Sequence, residues 1–259
     1  MSVAIIGMGV VGRAQSRLFG LSYSLITYDT ANGNPYPTAE IAKCDFAVIA
    51  VGTPMGEDGA ANLDYVHAAL RDLPPHVPAL IRSTVPPGTT DRLKALHRDR
   101  LIAHAPEFLT ERPGAGRPRS ADVPFMIIGG GEVAREFFVR RVEAVFPGEV
   151  HECTALEAEL AKYTANLYWA TRVTFVNEMA AVARTFGARW EDVRAAWLAD
   201  GRVHPDYTAM SDELGPGFGG ACWPKDLAAL ISASNQAGYA PLFLEDVQDA
   251  NERFQKDPE

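Results

Sequence analysis

Val3-Ala4-Ile5-Ile6-Gly7-Met8-Gly9-Val10-Val11-Gly12 is the stretch that decides how this chain is read. The unbroken apolar run Val3 to Ile6 fits a strand buried on both faces. A G-x-G-x-x-G turn follows at once, and a helical pattern continues to Phe19. Strand, glycine turn and helix, in that order, open a dinucleotide fold. Gly7 permits the tight turn, Gly9 lets a pyrophosphate approach, and Gly12 lets the helix lie close to the strand. The helix N-terminus then faces the phosphates. A second strand, Ser24 to Tyr28, ends at Asp29, where a carboxylate would accept the adenosine ribose hydroxyls. A 2′-phosphate would be repelled there, so the cofactor expected is NAD rather than NADP.

Working outward, Phe46 to Val51 is the next buried strand, and it runs into Gly52-Thr53-Pro54. Leu80 to Thr84 is another, stopped by Val85-Pro86-Pro87-Gly88, with a helix restarting at Thr89 or Thr90. Leu101 to His104 leads to Ala105-Pro106-Glu107-Phe108-Leu109-Thr110-Glu111. Each strand ends in a loop carrying polar residues, among them Thr53, Thr84, Glu107 and Glu111, as expected if the loops gather over one cofactor. Arg112 to Asp122 is rich in Pro, Gly and Arg and is expected to be a mobile surface loop. Met126 to Gly129 is a sixth strand, followed by a helix from Glu132 to Phe146.

The second half is helical. Ala155 to Phe186 contains no Pro or Gly, and its apolar residues Leu156, Leu160, Tyr163, Leu167, Phe175, Met179, Val182 and Phe186 recur at threes, fours or their sums. At 32 residues such a helix runs roughly 48 Å, more than one compact domain needs. It is expected to join domains and to pair with a second copy as a homodimer. Lys162 and Asn166, four apart, share one face. Trp190 to Leu198 forms a short helix, then comes a polar linker with Arg202, His204 and Asp206. Gly217-Phe218-Gly219-Gly220-Ala221-Cys222-Trp223-Pro224-Lys225-Asp226 follows. Its glycines let backbone approach a bound molecule, and Pro224 suits the first turn of a helix. That puts Cys222 just before a helix N-terminus with Lys225 near, both of which favour thiolate. Helices over Leu227 to Gln236 and Leu242 to Phe254 end the pattern.

Size and charge bound the rest. The 259 residues allow one large or two modest domains, here 1–152 for a doubly wound, Rossmann-like α/β sheet and 153–259 for an all-helical domain built on the long helix. A net charge of −9 argues against a nucleic-acid surface. No apolar run spans a membrane, and Met1-Ser2 leads straight into the first strand without a signal-peptide pattern. Cys44, Cys153 and Cys222 lack metal spacing and fit free thiols in a reducing cytoplasm.

Together the Gly7–Gly12 motif, Gly52-Thr53-Pro54, Ser83-Thr84-Val85-Pro86-Pro87-Gly88-Thr89, Pro106-Glu107-Phe108-Leu109, Glu159-Leu160-Ala161-Lys162-Tyr163-Thr164-Ala165-Asn166, Asn177-Glu178 and Gly219 to Asp226 resemble the UDP-glucose/GDP-mannose dehydrogenase family, collinearly from Met1 to about Phe254. The resemblance implies NAD-dependent oxidation of a primary alcohol of a sugar or nucleotide sugar to a carboxylate. It implies that Cys222 attacks the aldehyde and carries a thiohemiacetal, then a thioester. Lys162 would stabilise the oxyanion with Asn166 beside it. Asp226 and Thr84 would hold the hydrolytic water, and Glu107 would act in proton transfer. Phe108, Leu109, Thr110, Glu111 and Gly219 would line the sugar site, and Gly7, Gly9, Val10, Val11, Gly12, Asp29, Gly52, Thr53 and Thr84 the cofactor site. Two departures stand out. Ala105 replaces the usual Asn, and the family carries a third, nucleotide-gripping domain beyond the point where this sequence stops. A substrate smaller than a nucleotide sugar, such as a sugar phosphate, or weak use of UDP-glucose is therefore expected, with Arg112, Arg117, Arg119 and Arg202 available for an anionic group. Two other readings stay open: a two-electron hydroxy-acid-type dehydrogenase, which needs no cysteine, and a catalytically silent NAD-binding subunit.

Overall fold

The computed structural model of the chain describes residues 1–109, 123–210 and 216–256. Among the described residues, β1 (Ser2–Ile6), β2 (Ser24–Tyr28), β3 (Phe46–Ile49), β4 (Ala79–Ile81), β5 (Ile102–His104), β6 (Phe125–Gly130) and β7 (Glu149–Cys153) form one sheet in the order β2-β1-β3-β4-β5-β6-β7. Neighbours are parallel except β5 and β6, which are antiparallel. The chain moves outward from β1 to β2, then returns past β1 to β3. The crevice between β1 and β3 is therefore the switch point where such sheets bind ligands.

Strand alternation explains why helices cover both faces. Val3 and Ile5 point to one side with Phe46, Val48 and Leu80, where they meet Leu18 and Phe19 of α1 (Val10–Phe19) and Phe138 and Val142 of α5 (Glu132–Glu143). Ala4 and Ile6 point to the other with Ala47, Ile49 and Ile81. There they meet Ile41 of α2 (Thr38–Ile41), Val66 and Leu70 of α3 (Asp64–Asp72), and Leu93 of α4 (Thr89–Leu96). A strand buried on both faces has no polar position to spare, so it reads as a continuous apolar run.

The structure corrects three readings of the sheet. Strand β7 is a seventh strand that Glu-Val-His-Glu-Cys does not announce, because it is an edge strand with three of its five residues exposed. The apolar run at Phe46 to Val51 pairs only as far as Ile49, and Leu80 to Thr84 only as far as Ile81. The residues beyond enter loops, which frees Arg82 and Ser83 for side-chain work. The fold is thus a doubly wound α/β sheet with one reversed strand.

The chain divides into two compact units. The first comprises Met1–Gly56 and Ala61–Lys162, and the second holds Glu57–Ala60 and the chain from Tyr163 onward. The long helix α6 (Ala155–Thr185) begins in the first and continues in the second. Its apolar residues divide between a buried and an exposed set. Tyr163, Leu167, Ala170, Val176 and Ala183 are buried, while Leu156, Leu160, Tyr168, Phe175, Val182 and Phe186, just past its end, are exposed. In the second unit, Val176, Met179 and Ala183 of α6 pack against Trp190, Val193 and Trp197 of α7 (Trp190–Leu198). Helices α8 (Trp223–Gln236) and α9 (Leu242–Lys256) complete it. No helix among the described residues is long and apolar enough to cross a membrane.

His104 at the end of β5 is fully buried, and burial, then the Arg82 guanidinium, push its pKa down to about 3. A neutral buried imidazole loses ground to the unfolded chain, whose histidine protonates near 6.5. Stability gained from keeping His104 neutral is thus present above 6.5 and lost as the pH falls toward 3, at up to about 1.4 kcal/mol per pH unit. Thermal melts of His104→Leu against the parent should show a flatter acid limb. Parallel acid limbs would contradict this.

Candidate active site

The first unit presents a cofactor cradle. Gly7 has φ +91°, and a Cβ there would meet the Ala50 carbonyl oxygen at 2.5 Å. A Cβ on Gly12 would lie 1.8 Å from the Gly7 carbonyl oxygen, whereas one on Gly9 meets nothing within 4 Å. Two glycines are therefore imposed by the protein's own backbone, and the third faces the room a pyrophosphate needs. Helix α1 starts at Gly9 with no side-chain cap and no acid in its first turn. Its Val10 and Val11 amides are left for an anion.

Asp29 sits beside this turn. Its Oδ2 accepts the Met8 N–H at 2.6 Å and its Oδ1 the Ala31 N–H at 2.9 Å. Those two amides, Met8 first, hold the carboxyl below its ordinary range. Each oxygen retains a lone pair for a ribose hydroxyl. An anion fixed here repels a 2′-phosphate, so titrations should show NADP binding more weakly than NAD. Asp29→Ala should narrow the difference, and equal or tighter NADP binding by the parent would remove the argument. The residues present fit a bound NAD.

Loops at the carboxyl ends of β3, β4 and β5 are stitched together. Thr53 Oγ1 donates to the Thr84 carbonyl at 2.8 Å, and Ser83 Oγ to that of Val51 at 2.7 Å. Gly52 leads this loop, and a Cβ there would meet nothing within 4 Å. Glu107 is buried, with Arg82 Nη2 at 2.6 Å and Gln15 Nε2 at 2.8 Å from the same oxygen. Phe108 follows, with the Lys162 ammonium 5.1 Å from its ring centre, and Leu109 is half-buried. One turn before Lys162, the wholly buried Glu159 accepts the N–H groups of Gly88 at 2.5 Å and Thr90 at 2.7 Å. It thereby supplies the cap that α4 otherwise lacks and ties the Lys162 helix to the Thr84 loop. Burial raises the Glu159 pKa against these hydrogen bonds.

The second unit presents Cys222. It is exposed at the N-cap of α8, with Pro224 in the first turn. The helix begins at Trp223, ahead of the apolar run at Leu227. Asp226, 1% exposed, accepts Asn166 Nδ2 at 2.6 Å and Lys225 Nζ at 2.5 Å. Asn166 is thus an Asp226 partner as well as a neighbour of Lys162 on α6. The preceding glycine loop is pinned from behind. Asn251 on α9 exchanges two hydrogen bonds with Phe218, Gln255 donates to the Phe218 carbonyl, and Asn177 on α6 accepts the Gly217 N–H. Gly217 and Gly220 have positive φ, and Gly219 is exposed. Asn251 was not foreseen, although its spacing with Val247 and Phe254 places it on the buried face of α9.

Arg202 is engaged with Asp200, Nη2 to Oδ2 at 2.6 Å, which weakens its claim as an anion holder. Thr110, Glu111, Arg112, Arg117 and Arg119 lie outside the described residues. Among the described residues no cluster of three metal-ligating side chains occurs.

A doubly wound sheet with an open glycine turn, an acid after β2 and a helical second unit defines a dinucleotide-binding α/β protein. Comparison with known proteins narrows this. The NAD binding domain of the UDP-glucose/GDP-mannose dehydrogenase family matches residues 33–146, and that family's central domain matches residues 156–253. The chain belongs to the UDP-glucose/GDP-mannose dehydrogenase family. A UDP-glucose 6-dehydrogenase of Pseudomonas aeruginosa is 36% identical over 231 residues, covering 82% of this chain and 49% of that protein. The chain spans about half the length of the curated relatives it matches. A UDP-glucose dehydrogenase structure from Pyrobaculum islandicum superimposes with TM-score 0.84 at 27% identity, covering 98% of this chain and 68% of that one. A UDP-D-ManNAc dehydrogenase from Pyrococcus horikoshii shares the fold, with TM-score 0.82 at 23% identity, 98% of this chain and 68% of that one.

Proposed function

We propose that this chain oxidises a primary alcohol of a sugar or nucleotide sugar by four electrons to the carboxylate, with NAD as the acceptor. The observation that carries the reading is Cys222, exposed at the N-terminus of α8, four residues before a buried Asp226 held by Asn166 and Lys225. A helix N-terminus favours a thiolate, and a two-electron dehydrogenase has no use for one. Domain 1–152 supplies the cofactor site, with Gly7, Gly9, Val10, Val11, Gly12, Asp29, Gly52, Thr53 and Thr84. NAD held there would supply the hydride acceptor for each of the two oxidations.

The chain's own groups do the rest. Glu107 takes the alcohol proton in the first oxidation. Cys222 adds to the aldehyde carbon, forming a carbon–sulfur bond and a thiohemiacetal, and Lys162 with Asn166 stabilises the developing oxyanion. Loss of hydride from that carbon leaves a thioester. Asp226 and Thr84 hold the water that attacks it, and the carbon–sulfur bond breaks to give carboxylate and thiolate. The family resemblance assigns Phe108, Leu109 and Gly219 to the sugar site, together with Thr110 and Glu111, which lie outside the described residues.

NADH production tests this with UDP-glucose beside small phosphorylated alcohols. Turnover of at least one is expected, and binding of NAD without turnover of any would favour a silent subunit. The family of the relatives, named UDP-glucose 6-dehydrogenase, makes UDP-glucose the first substrate to try. The exposed apolar residues of α6 and Phe186 next to it, with Phe175 50% and Phe186 85% exposed, support a homodimer through residues 155–186. Light scattering at micromolar concentration should give twice the monomer mass, and a monomer would refute it. Three scattered cysteines without metal spacing, Cys44, Cys153 and Cys222, suit a reducing cytoplasm, the compartment we assign.

A further inference from the structure

Arg82 does something that its place after β4 does not require. Its side chain is 1% exposed and that of Glu107 7%, yet the two form an ion pair at 2.6 Å. Desolvating two charges costs several kcal/mol per ion, and an apolar pair of like volume is often as stable or more so. The arrangement is also incomplete, since among the described residues Arg82 Nε and Nη1 are buried without hydrogen-bond partners. Stability alone does not account for keeping such a group, and local rules are typically broken at functional sites.

What the pair does achieve is orientation. Glu107 Oε2 accepts both Arg82 Nη2 and Gln15 Nε2, and Oε1 accepts the Phe108 N–H at 3.0 Å. With both oxygens engaged from separate directions, the carboxylate has one rotamer. Arg82 comes from the end of β4, and Gln15 from α1, the helix whose N-terminus faces the cofactor phosphates. Among the described residues, His104 on β5, kept neutral by burial, and Lys162 on α6, over the neighbouring Phe108 ring, also lie nearby. Arg82 is the cation in direct contact with the Glu107 carboxylate among the described residues.

We infer that Arg82 and Gln15 are positioning residues that hold the Glu107 carboxylate as an anion in the orientation needed for proton transfer. This rests on the proton-transfer role proposed for Glu107. Neither residue touches the alcohol. Arg82 fixes charge and direction, and Gln15 ties the same oxygen to the cofactor helix.

The test compares Arg82→Met, Arg82→Lys, Gln15→Ala, Glu107→Gln and the double variant Arg82→Met/Glu107→Gln. Their kcat for NADH production, NAD dissociation constant by fluorescence and thermal midpoint are measured on the full chain. Glu107→Gln should lose about 10²-fold or more in kcat. Arg82→Met should lose on the order of 10²-fold with NAD affinity unchanged. Arg82→Lys, which keeps the cation, should recover most of that loss, and Gln15→Ala should fall between. The double variant should be no slower than Glu107→Gln alone and more stable than Arg82→Met, because it removes the lone buried charge. A fully active Arg82→Met beside an inactive Glu107→Gln overturns the inference and leaves the function standing. So does an Arg82→Lys as slow as Arg82→Met. A fully active Glu107→Gln overturns the role of Glu107, and the inference with it.

Discussion

Cys222→Ser is expected to stop the reaction after the first oxidation. A serine hydroxyl at the N-terminus of α8 is un-ionised at neutral pH, so it cannot replace a thiolate as nucleophile. Removing a covalent nucleophile in other enzymes lowers kcat by up to about 10⁶-fold. Cys222 is exposed and makes the N-cap of α8 through its backbone, not its side chain. The substitution should therefore leave the thermal midpoint unchanged, which separates loss of chemistry from loss of fold. Aldehyde accumulation with at most one NADH per alcohol is the expected signature. A serine variant that still makes carboxylate at the parent's rate would show that the cysteine is structural.

Lys162→Ala is expected to lower kcat on the order of 10²–10³-fold, the scale for removing one oxyanion donor. Lys162 is 9% exposed, with its ammonium over the Phe108 ring. A cation held away from water acts on developing charge more strongly than one in solvent. NAD affinity should be retained, since the glycine turn and Asp29 are untouched. Lys162→Met, which keeps the buried stem, should be as slow as the alanine variant if charge is what matters. Turnover close to the parent's in both would remove Lys162 from the reaction.

Much of this site was legible in the sequence where local chemistry set it. The Val3–Ile6 run and Gly7–Gly12 announced a strand, turn and helix because close backbone contacts at Gly7 and Gly12 admit no side chain. Pro224 marked the start of α8 and so the place of Cys222. Groups that act across long separations left no such trace. Gln15 meets Glu107 from 92 residues away, and Asn251 meets Phe218 from 33. Spacing with Leu18 and Phe19, or with Val247 and Phe254, places each amide on a buried helix face but does not name its partner. Edge strand β7 was missed because only one side of it needs to be apolar. The apolar pattern of α6 announced a helix correctly, but not which of its residues are buried and which are exposed.

The most direct test of the four-electron reading is the number of NADH formed per alcohol consumed, measured to completion with limiting substrate and excess NAD. Primary alcohol to carboxylate requires two hydride transfers and one water, so the expected ratio is two, with the acid as the only product. A ratio of one, with aldehyde as the product, would contradict a covalent role for Cys222 and leave a two-electron dehydrogenase.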